Sequence, residues 1–513
     1  MTSFALWEQS LTGTVRTGAQ IPDEYRIDRS GFNPVGAPEV LVQAKTVDDV
    51  QYAVTYASDT DLSVVIRGAG TGLAGGASAG SGSLVLDVSG LNRITDIAPA
   101  DELAVVEPGV ITAALDTEAG RYGLRYAPDP ASASISTIGG NIATNAGGLR
   151  CVKYGVTGDS VLGLSVVLAD GRLIHTGRRT AKGVAGLDLT SLFTGSEGTL
   201  GVIVSATVRL QPKPTATVTI AAYFDDVEQA AAATTAVLAA RVRPSIMELL
   251  DEASLRQSRD FLGLPSDAAG AFVVAQTDGF GAHTEARIVQ EVFGQFSSRV
   301  SVGDDPQVSD ELLAIRRAAL PALERHGRAL IEDIAVPRTR IADAIRAVSE
   351  IATRHRTAIY TFGHAGDGNL HPIIVVDAMT RMRMTAPSPP PTRSSGPHWL
   401  WAEPSPANTA SAYSNDDGSN ASWGLTVSNC NGPSAGHSTR RGCSTPAKRS
   451  DPESIADLEW AVRRDERAVG RVEWAVGRVE WAVGRVEWAP GSETFAFSCD
   501  VRLQRYAEGL EAS

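Results

Sequence analysis

Hydrophobic and polar positions follow two different periods along residues 39–210, and this mixture predicts an α+β fold. Apolar residues recur at helical spacing over Val47–Ser58, so a helix is expected there. Short runs rich in Val, Leu and Ile predict strands on both sides of it. These strands are expected near Glu39–Gln43, Leu62–Ile66, Leu84–Val88, Leu103–Val106, Val161–Leu168 and Val202–Leu210. The region therefore begins with a β-α-β unit.

A second patterned region follows the prolines of "QPKPTATV", which neither donate to a strand ladder nor continue a helix. We place a domain boundary near residue 215. The next stretch, "TIAAYFDDVEQAAAATTAVLAARVRPSIMELLD", predicts a strand, an Ala-rich helix and another strand. The same order recurs up to "IYTFGHAG", which indicates a βαβ-containing α+β domain over 216–378.

The pattern stops after Ala378. Segments such as "APSPPPTRSSGP" and "AYSNDDGSNASWG" have neither helical nor strand periodicity. The unit "RVEWAVG" repeats from Arg471, and a coiled coil could use its apolar positions. Near-identical copies are more typical of a tandem DNA repeat translated by accident. We therefore expect residues 379–513 to be an aberrant tail of low order.

Charge and composition narrow the range of partners. The formal net charge of −13 and the pI near 5.2 argue against nucleic acid or an anionic membrane surface as the main partner. No signal peptide and no apolar stretch of about 20 residues is found, so a cytoplasmic protein without a transmembrane segment is expected. The 4 cysteines form no CxxC pair, which argues against a disulfide framework or a thiolate zinc site.

The first candidate binding element is the loop "RGAGTGLAGG", from Arg67 to Gly76. Backbone N–H groups of such a turn can hold a phosphate or pyrophosphate. The loop is neither a P-loop nor the dinucleotide-binding fingerprint, because both of those spacings are missing. A purely structural glycine turn is about equally compatible with the loop alone.

Two further glycine-rich stretches extend this candidate site. "PDPASASISTIGGNIATNAGGLRCVKYG" spans Pro128–Gly155 and is too poor in large side chains to fill a core, so a large flat ligand is expected against it. Its hydroxyls and Asn145 would supply hydrogen bonds. "LFTGSEGTLGVIVSATVRL" is a turn that leads into a strand, and Glu197 can simply cap the local backbone.

A pair of histidines forms the second candidate site. "HAGDGNLH" places His364 and His371 seven residues apart around a Gly-Asp-Gly-Asn turn, so both imidazoles can converge on one ion. Each histidine taken singly is more often a structural residue than a ligand. Asp367 is interpreted as a turn residue rather than a base.

The three glycine-rich stretches, in this order and spacing, resemble the FAD-binding domain of the vanillyl-alcohol oxidase/p-cresol methylhydroxylase (PCMH) superfamily. Within it the chain is similar to the D-lactate dehydrogenase and glycolate oxidase flavin-subunit branch, over about residues 20–377. The resemblance implies a PCMH-type FAD-binding domain of two α+β subdomains over 1–215. It also implies a ferredoxin-like α+β substrate or cap domain, truncated, over 216–378.

The resemblance assigns cofactor contacts to positions that match the family's motifs. The pyrophosphate of FAD is expected at Arg67, Gly68, Ala69, Gly70, Thr71 and Gly72. The ribityl and isoalloxazine region is expected at Pro130, Ser136, Gly140, Asn145 and Gly147, and the adenosine half near Glu197, Gly198 and Ile203. The first loop lacks the histidine to which relatives attach flavin, so non-covalent FAD is expected.

The resemblance also implies a reaction, the oxidation of a D-2-hydroxyacid such as D-lactate or glycolate to the 2-oxoacid with hydride transfer to flavin. In the family, the two histidines hold a divalent metal, zinc or manganese, beside the substrate. Arg316 matches a position that pairs with the substrate carboxylate, although it could equally be a solvated helix arginine. An iron–sulfur or membrane electron-transfer partner, and with it attachment to the inner face of a membrane, stays open.

The family also requires a Gly-Glu-His-Gly motif, whose Glu completes the metal site and whose His is the base. This frame contains no such motif, so no catalytic residue is identified. A one-base shift near Ala378 lets the codons of "PHWLWAEPSPANTASA" specify "ALALGGTVTGEHGIG". It also lets "GCSTPAKRSD" specify "LNPGKAL" and a stop. We infer that residues 379–450 are translated out of frame and 451–513 beyond the original stop, which would impair activity.

Two other interpretations remain. An enzyme similar to alkyl-glycerone-phosphate synthase would share the flavin domain but perform a non-redox exchange. A non-catalytic flavoprotein, or pseudoenzyme, could instead be a subunit of an oxidase complex with an iron–sulfur partner.

Overall fold

The computed structural model describes residues 3–265 and 268–376. A four-stranded, a five-stranded and an eight-stranded sheet organise this part of the chain. The expected tail, its "RVEWAVG" repeat and the out-of-frame segment all lie outside the described residues.

The N-terminal half contains the first two sheets and short helices. Its strands are β1 Thr14–Thr17, β2 Val40–Gln43, β3 Ser63–Arg67, β4 Ser83–Asp87, β5 Ile94–Ala98, β6 Leu103–Val106, β7 Leu124–Arg125, β8 Val161–Val167, β9 Leu173–Gly177, β10 Val202–Arg209 and β11 Gln211–Pro212. Its helices are α1 Ser3–Ser10, α2 Val47–Asp59, α3 Thr112–Gly120, α4 Ile138–Thr144, α5 Cys151–Tyr154, α6 Thr157–Ser160 and α7 Leu189–Phe193.

The predicted β-α-β start is confirmed. Helix α2 begins at a capping box, in which the Thr46 hydroxyl accepts from the Asp49 amide and the Asp49 carboxylate accepts from the Thr46 amide. It buries Val50, Ala53 and Val54 against strands β2, β4 and β3, which are parallel. The four-stranded sheet has the order β1-β2-β4-β3, with β1 antiparallel to β2.

The second sheet is antiparallel and has the order β5-β6-β10-β8-β9. Helices α3 and α4 pack on its apolar face in one core. The prolines that follow β10 lie in or next to a short ladder of their own. Pro212 pairs with Leu124 in the two-residue strand β11, where β7 is its partner in a separate two-stranded sheet. A proline is tolerated there because such an edge needs no donor from it.

The remaining described residues form the eight-stranded sheet and its helices. The strands are β12 Thr217–Phe224, β13 Ile246–Asp251, β14 Ala271–Asp278, β15 Arg299–Gly303, β16 Arg328–Ile331, β17 Ile334–Ala335, β18 Ile359–His364 and β19 Asn369–Val376. The helices are α8 Val227–Ala239, α9 Glu252–Phe261, α10 Ala282–Phe293, α11 Pro306–Glu324 and α12 Ile341–His355.

The order of this sheet is β15-β12-β14-β13-β18-β19-β16, and β17 also pairs with β19. Strands β12 and β13 are both antiparallel to β14 between them, so they run parallel to each other. The first four strands with α8 and α10 thus form the split βαβ arrangement of a ferredoxin-like fold. The expected α+β class is confirmed for both halves.

The eight-stranded sheet is covered on both faces. Helices α8, α10 and α12 pack on one face and share a core with Met247 and Leu249. Helices α9 and α11 pack on the other face, where Ile246, Leu250 and Phe362 are buried. Because side chains alternate along a strand, Glu248 points to this second face together with Ile246 and Leu250.

One buried carboxylate joins the two halves. Asp278, at the end of β14, accepts hydrogen bonds from Lys153 Nζ at 2.5 Å and from Tyr154 Oη at 2.7 Å. The Arg125 guanidinium lies 4.2 Å from the Tyr154 ring centroid and 3.9 Å from Asp278 Oδ2. Helix α5 is therefore fixed against the eight-stranded sheet.

Candidate functional site

The three glycine-rich stretches, hereafter the glycine-rich loops, lie together although they are far apart in sequence. A β-carbon on Gly68 would be 2.4 Å from Thr137 Oγ1, so the first loop touches the start of α4. A β-carbon on Gly198 would be 2.6 Å from Ile66 Cδ1, and the Glu197 amide donates to the Ala143 carbonyl at 2.8 Å. The loops therefore form one surface at the end of β3.

Arg67 holds the first loop from behind. Its side chain is buried and donates to the carbonyls of Ala77 at 3.0 Å and Ile27 at 3.3 Å. Gly70 has a φ of +66°, and a β-carbon there would lie 2.2 Å from the Arg67 guanidinium. The positive φ therefore favours glycine at position 70, and the Arg67 side chain braces the loop.

The backbone of this loop has a defined orientation. The Gly70 and Gly72 carbonyls accept from the amides of Arg29 at 3.0 Å and Ser30 at 3.1 Å. Since no peptide bond here is cis, the next amides, those of Thr71 and Leu73, point the opposite way. Amides held in this way suit a phosphate-containing ligand.

The other predicted cofactor residues mostly contribute structure through their side chains. Asn145, at φ +49°, ends α4, and its Oδ1 accepts from the Gly158 amide at 2.8 Å. The Gly140 amide donates to Thr137, the helix cap. Ser136 and Ile203 are buried with side chains directed into the interior. Buried Pro130, and Gly147 against Cys151, complete the set of predicted positions.

The second predicted site is assembled by strand register. Glu248 on β13 stands directly opposite His364 on β18, and His364 pairs with Asn369 across the β18–β19 hairpin. His371 is two residues beyond Asn369, so it projects from the same face as His364. Asp367 accepts from the Asn369 amide at 3.0 Å, which is the role expected of a turn residue.

Five residues form what we call the histidine cluster: Arg316, Glu248, His364, His371 and Asp333. Glu248 Oε2 accepts from Arg316 Nε at 2.6 Å, and Glu248 Oε1 lies 2.6 Å from His364 Nδ1. Asp333 Oδ1 lies 2.5 Å from His371 Nδ1. The Nε2 atoms of the two histidines are 3.4 Å apart. Each imidazole is thus held from its outer nitrogen and turned toward the other.

The charges of the cluster stabilise one another. Burial alone would raise the pKa of Glu248, but His364 and Arg316 outweigh it and hold that pKa below its usual range. Burial would lower the pKa of His364, but the charge and hydrogen bond of Glu248 hold it above its usual range. Burial likewise opposes the shift at Asp333, whose pKa the His371 contact keeps low. The carboxylates are therefore ionised acceptors for the imidazole N–H groups.

Arg316 is not a solvated helix arginine, and that alternative is wrong. It is 8% exposed, paired with Glu248, and its guanidinium carbon lies 4.4 Å from the Phe362 ring centroid. It projects from α11 toward the same face of the sheet as the histidines. An arginine in this setting can bind a carboxylate beside them.

Sequence reasoning missed Glu248 and Asp333. A glutamate within the apolar run "SIMELLD" was the available signal for Glu248, because a charge in a buried strand needs a partner. Asp333 lies in the short "IEDIAV" stretch, between β16 and β17, and carried no signal in the sequence.

The glycine-rich loops and the histidine cluster are neighbours. A β-carbon on Gly366, in the turn after His364, would be 2.3 Å from Val152 Cγ2 of α5. The adjacent Cys151 thiol accepts from the Gly148 amide at 3.0 Å, and burial raises its pKa to about 12. This cysteine is therefore a packing residue and not a nucleophile.

The histidine pair fits two ligands of one metal ion, but it does not make a complete site. Two atoms that each lie about 2.0–2.1 Å from one ion are at most about 4.2 Å apart, which accommodates the Nε2 separation of 3.4 Å. Within residues 3–265 and 268–376, no group of three or more His, Cys, Asp or Glu side chains could hold a metal. Further ligands would have to come from substrate, solvent or the rest of the chain.

Two family models match the chain. One describes an FAD binding domain and covers residues 38–177, and the other describes the C-terminal domain of FAD linked oxidases and covers residues 213–386. The first match contains two of the three glycine-rich loops, and the second contains the whole histidine cluster. Among the described helices, none combines the length and apolarity that a membrane crossing requires.

Related proteins and structures agree with these matches. The glycolate oxidase subunit GlcD of Bacillus subtilis is 40% identical over 353 residues, which are 68% of this chain and 75% of that protein. A D-lactate dehydrogenase of Anaerostipes hadrus is 31% identical over 369 residues, 70% of this chain and 78% of that protein. The structure of p-cresol methylhydroxylase with substrate bound has a TM-score of 0.59 at 17% identity, over 72% of this chain and 80% of that one. At this low identity, the similarity to p-cresol methylhydroxylase shows only that the two proteins share the PCMH-type fold.

Proposed function

This chain belongs to the FAD-linked oxidase family, and on that premise we propose that it oxidises a D-2-hydroxyacid to the 2-oxoacid with FAD as electron acceptor. The observation that supports this most strongly is the closeness of the glycine-rich loops to a buried arginine and a converging histidine pair. A small anionic alcohol fits that combination. D-Lactate and glycolate are the first substrates to test, because the relatives carry those names.

The residues present fit FAD. Gly70 holds the first loop at φ +66°, and the Thr71 and Leu73 amides, which point away from Arg29 and Ser30, suit the pyrophosphate. We propose that Gly140, Asn145 and Gly147 would border the isoalloxazine and that Glu197 and Gly198 would lie near the adenosine half. The first loop has no histidine, so we propose non-covalent binding. Bound FAD supplies the acceptor for two electrons and a hydrogen.

The substrate is proposed to bind between these loops and the histidine cluster. Arg316 would hold the substrate carboxylate, and His364 and His371 would hold a divalent metal, zinc or manganese. Such a metal supplies a Lewis acid for the hydroxyl oxygen. In the overall reaction the hydroxyl loses its proton and the α-carbon loses its hydrogen with two electrons, which leaves the 2-oxoacid.

The base for the hydroxyl proton is not assigned to any described residue. We propose that the family's His for this step, and the Glu that completes its metal site, are encoded in the shifted frame after Ala378, so that this chain turns over slowly. In this proposal a PCMH-type domain over 1–215 precedes a substrate domain over 216–378. Sequencing the gene around codon 378 tests the shift, because an unbroken family frame must be present in that DNA.

The electron acceptor and location are proposals of the same kind. An iron–sulfur or membrane electron-transfer partner would take electrons from the reduced flavin and could attach a cytoplasmic protein to the inner face of a membrane. The likeness to alkyldihydroxyacetonephosphate synthase, at a TM-score of 0.57 and 18% identity, is one of fold alone. No feature of the histidine cluster favours a non-redox exchange, so that alternative is not proposed.

An anaerobic substrate screen tests the function. The chain is loaded with FAD and mixed with D-lactate, glycolate or D-2-hydroxyglutarate while the flavin absorbance near ~450 nm is followed. Slow bleaching by one D-2-hydroxyacid, and none by its L-isomer where one exists, is expected. Bound flavin that no hydroxyacid reduces, in this chain and in one with the frame restored, would contradict the proposal.

A further inference from the structure

Glu248 is placed where a charge is costly. It is 0% exposed, and its neighbours on the same face of β13, Ile246 and Leu250, are buried and apolar. An unpaired carboxylate in such a position strongly destabilises the folded chain. Glu248 avoids this cost because each of its oxygens has its own partner, Arg316 Nε on one and His364 Nδ1 on the other.

The contact with His364 determines where the imidazole carries its proton. An ionised carboxylate only accepts, so the neutral His364 must place its hydrogen on Nδ1 and leave a lone pair on Nε2. Asp333 imposes the same tautomer on His371. When both histidines are neutral, their Nε2 lone pairs face each other across 3.4 Å, an arrangement that a cation between them stabilises.

We propose that Glu248 is a positioning residue that keeps the His364 Nε2 lone pair available for a metal ion, and that Arg316 stabilises the Glu248 charge that makes this possible. The inference rests on the proposed function for the presence of a metal. Glu248 links Arg316 on α11 to His364 on β18 through one carboxylate, and it would act on the metal only through the imidazole.

Glu248 and Asp333 should differ in how strongly each affects metal affinity. Glu248 is fully buried between two donors, so a glutamine there has one oxygen for two partners. The charged guanidinium takes that oxygen, and the glutamine NH₂ then faces His364 Nδ1, which moves the imidazole hydrogen to Nε2. The Asp333 side chain is 50% exposed, so an asparagine there can turn its oxygen toward His371.

The test measures metal affinity in the full chain. Zn²⁺ binding, by competition with a chromophoric chelator, and the Co²⁺ absorption spectrum are compared for the wild type, Glu248→Gln, Asp333→Asn and Arg316→Gln. We expect Glu248→Gln to weaken Zn²⁺ binding about 100-fold and Asp333→Asn about 10-fold or less. Arg316→Gln leaves His364 as the remaining hydrogen-bonded partner of the buried Glu248 charge, so its Zn²⁺ binding should weaken by about 10-fold, less than in Glu248→Gln. Zn²⁺ binding by Glu248→Gln within about threefold of the wild type would overturn the inference.

A second readout needs no folded variant of Glu248. Nitrogen NMR of the metal-free wild type, with ¹⁵N-labelled histidine and His364→Gln for assignment, reports the tautomer at alkaline pH. A hydrogen on His364 Nδ1 supports the inference, and one on Nε2 overturns it whatever the metal affinity. Neither readout involves flavin or hydroxyacid, so a failure of the proposed oxidation would appear separately, as unreduced flavin.

Discussion

In the glycine-rich loops the contacts are made by backbone groups, whereas in the histidine cluster they are made by side chains. The loops depend on φ angles and on missing β-carbons, as at Gly70 and Gly68. The cluster depends on donors and acceptors brought together from β13, β18, β19 and α11. The first kind of site is damaged by added bulk, and the second by a changed hydrogen-bond type with no change in size.

The junction between these two regions should give the largest effect on stability. Asp278→Ala leaves Lys153 and the neighbouring Arg125 without their buried carboxylate. Removing one partner of a buried ion pair typically destabilises by about 3–5 kcal/mol. Denaturant unfolding should show this loss, together with faster hydrogen exchange in α5.

A matched control compares the loss of the buried Asp278 ion pairs with the loss of an ion pair at the surface. Asp260→Ala removes the partner of Arg325, but this pair lies at the surface, with the Asp260 side chain 73% exposed. Its unfolding free energy should change by less than about 1 kcal/mol. Equal losses in the two variants would show that Asp278 does not join the regions.

A larger side chain in the first glycine-rich loop should weaken FAD binding without disturbing the histidine cluster. In Gly70→Val the loop holds position 70 at φ +66°, which strains a β-branched residue, and the new β-carbon would displace the Arg67 guanidinium. We expect FAD affinity to fall by about 100-fold, which is about 2.7 kcal/mol. Flavin fluorescence quenching measures this affinity.

Gly120→Ala is the control for that variant, because a β-carbon there meets nothing within 4 Å and needs no unusual φ. It should bind FAD as the wild type does. Unchanged affinity in Gly70→Val would mean that the first loop does not hold the cofactor.

A smaller effect on stability is expected from the titration of Asp251, which lies at the end of the strand that carries Glu248. Asp251 caps α9 and accepts from the Ser254 and Thr361 amides at 2.7 and 2.8 Å. Burial raises its pKa to about 6. Because the raised pKa favours the protonated form in the folded chain, its contribution is full below about pH 4 and is lost as pH rises through about 6.

Asp251→Asn removes this titration while keeping an acceptor for the helix cap. Between pH 4.5 and 7.5 the unfolding free energy of the wild type should fall relative to the variant by about 2 kcal/mol. Urea unfolding at the two pH values measures the difference. A pH dependence identical in the two proteins would remove Asp251 as its source.

The same contrast explains what the sequence could predict. The strands and α2 follow local periodicity, and the glycine-rich loops are contiguous motifs, so both were found. The partners of Glu248 are 68 and 116 residues away, at Arg316 and His364, and local patterns contain no information on such pairing. The register that sets Glu248 opposite His364 is fixed by burial of the strand's apolar residues on both faces of the sheet.

The burial of Arg316 could not be predicted from the sequence either. Its segment "LLAIRRAAL" places one arginine toward the sheet and the next, Arg317, toward solvent, and which one is buried depends on how α11 packs. The shift of frame after Ala378 is a different case, because codon arithmetic and not physics suggested it.

The proposed function requires this chain to carry the flavin site of a D-2-hydroxyacid oxidase. The most direct measurement is anaerobic flavin reduction by D-lactate and glycolate, in the chain as it is and in one whose frame is restored after Ala378. We expect both proteins to bind FAD, the restored protein to be reduced rapidly by a D-2-hydroxyacid, and the present chain to be reduced slowly. Absence of bound FAD, or a restored protein that no 2-hydroxyacid reduces, would contradict it.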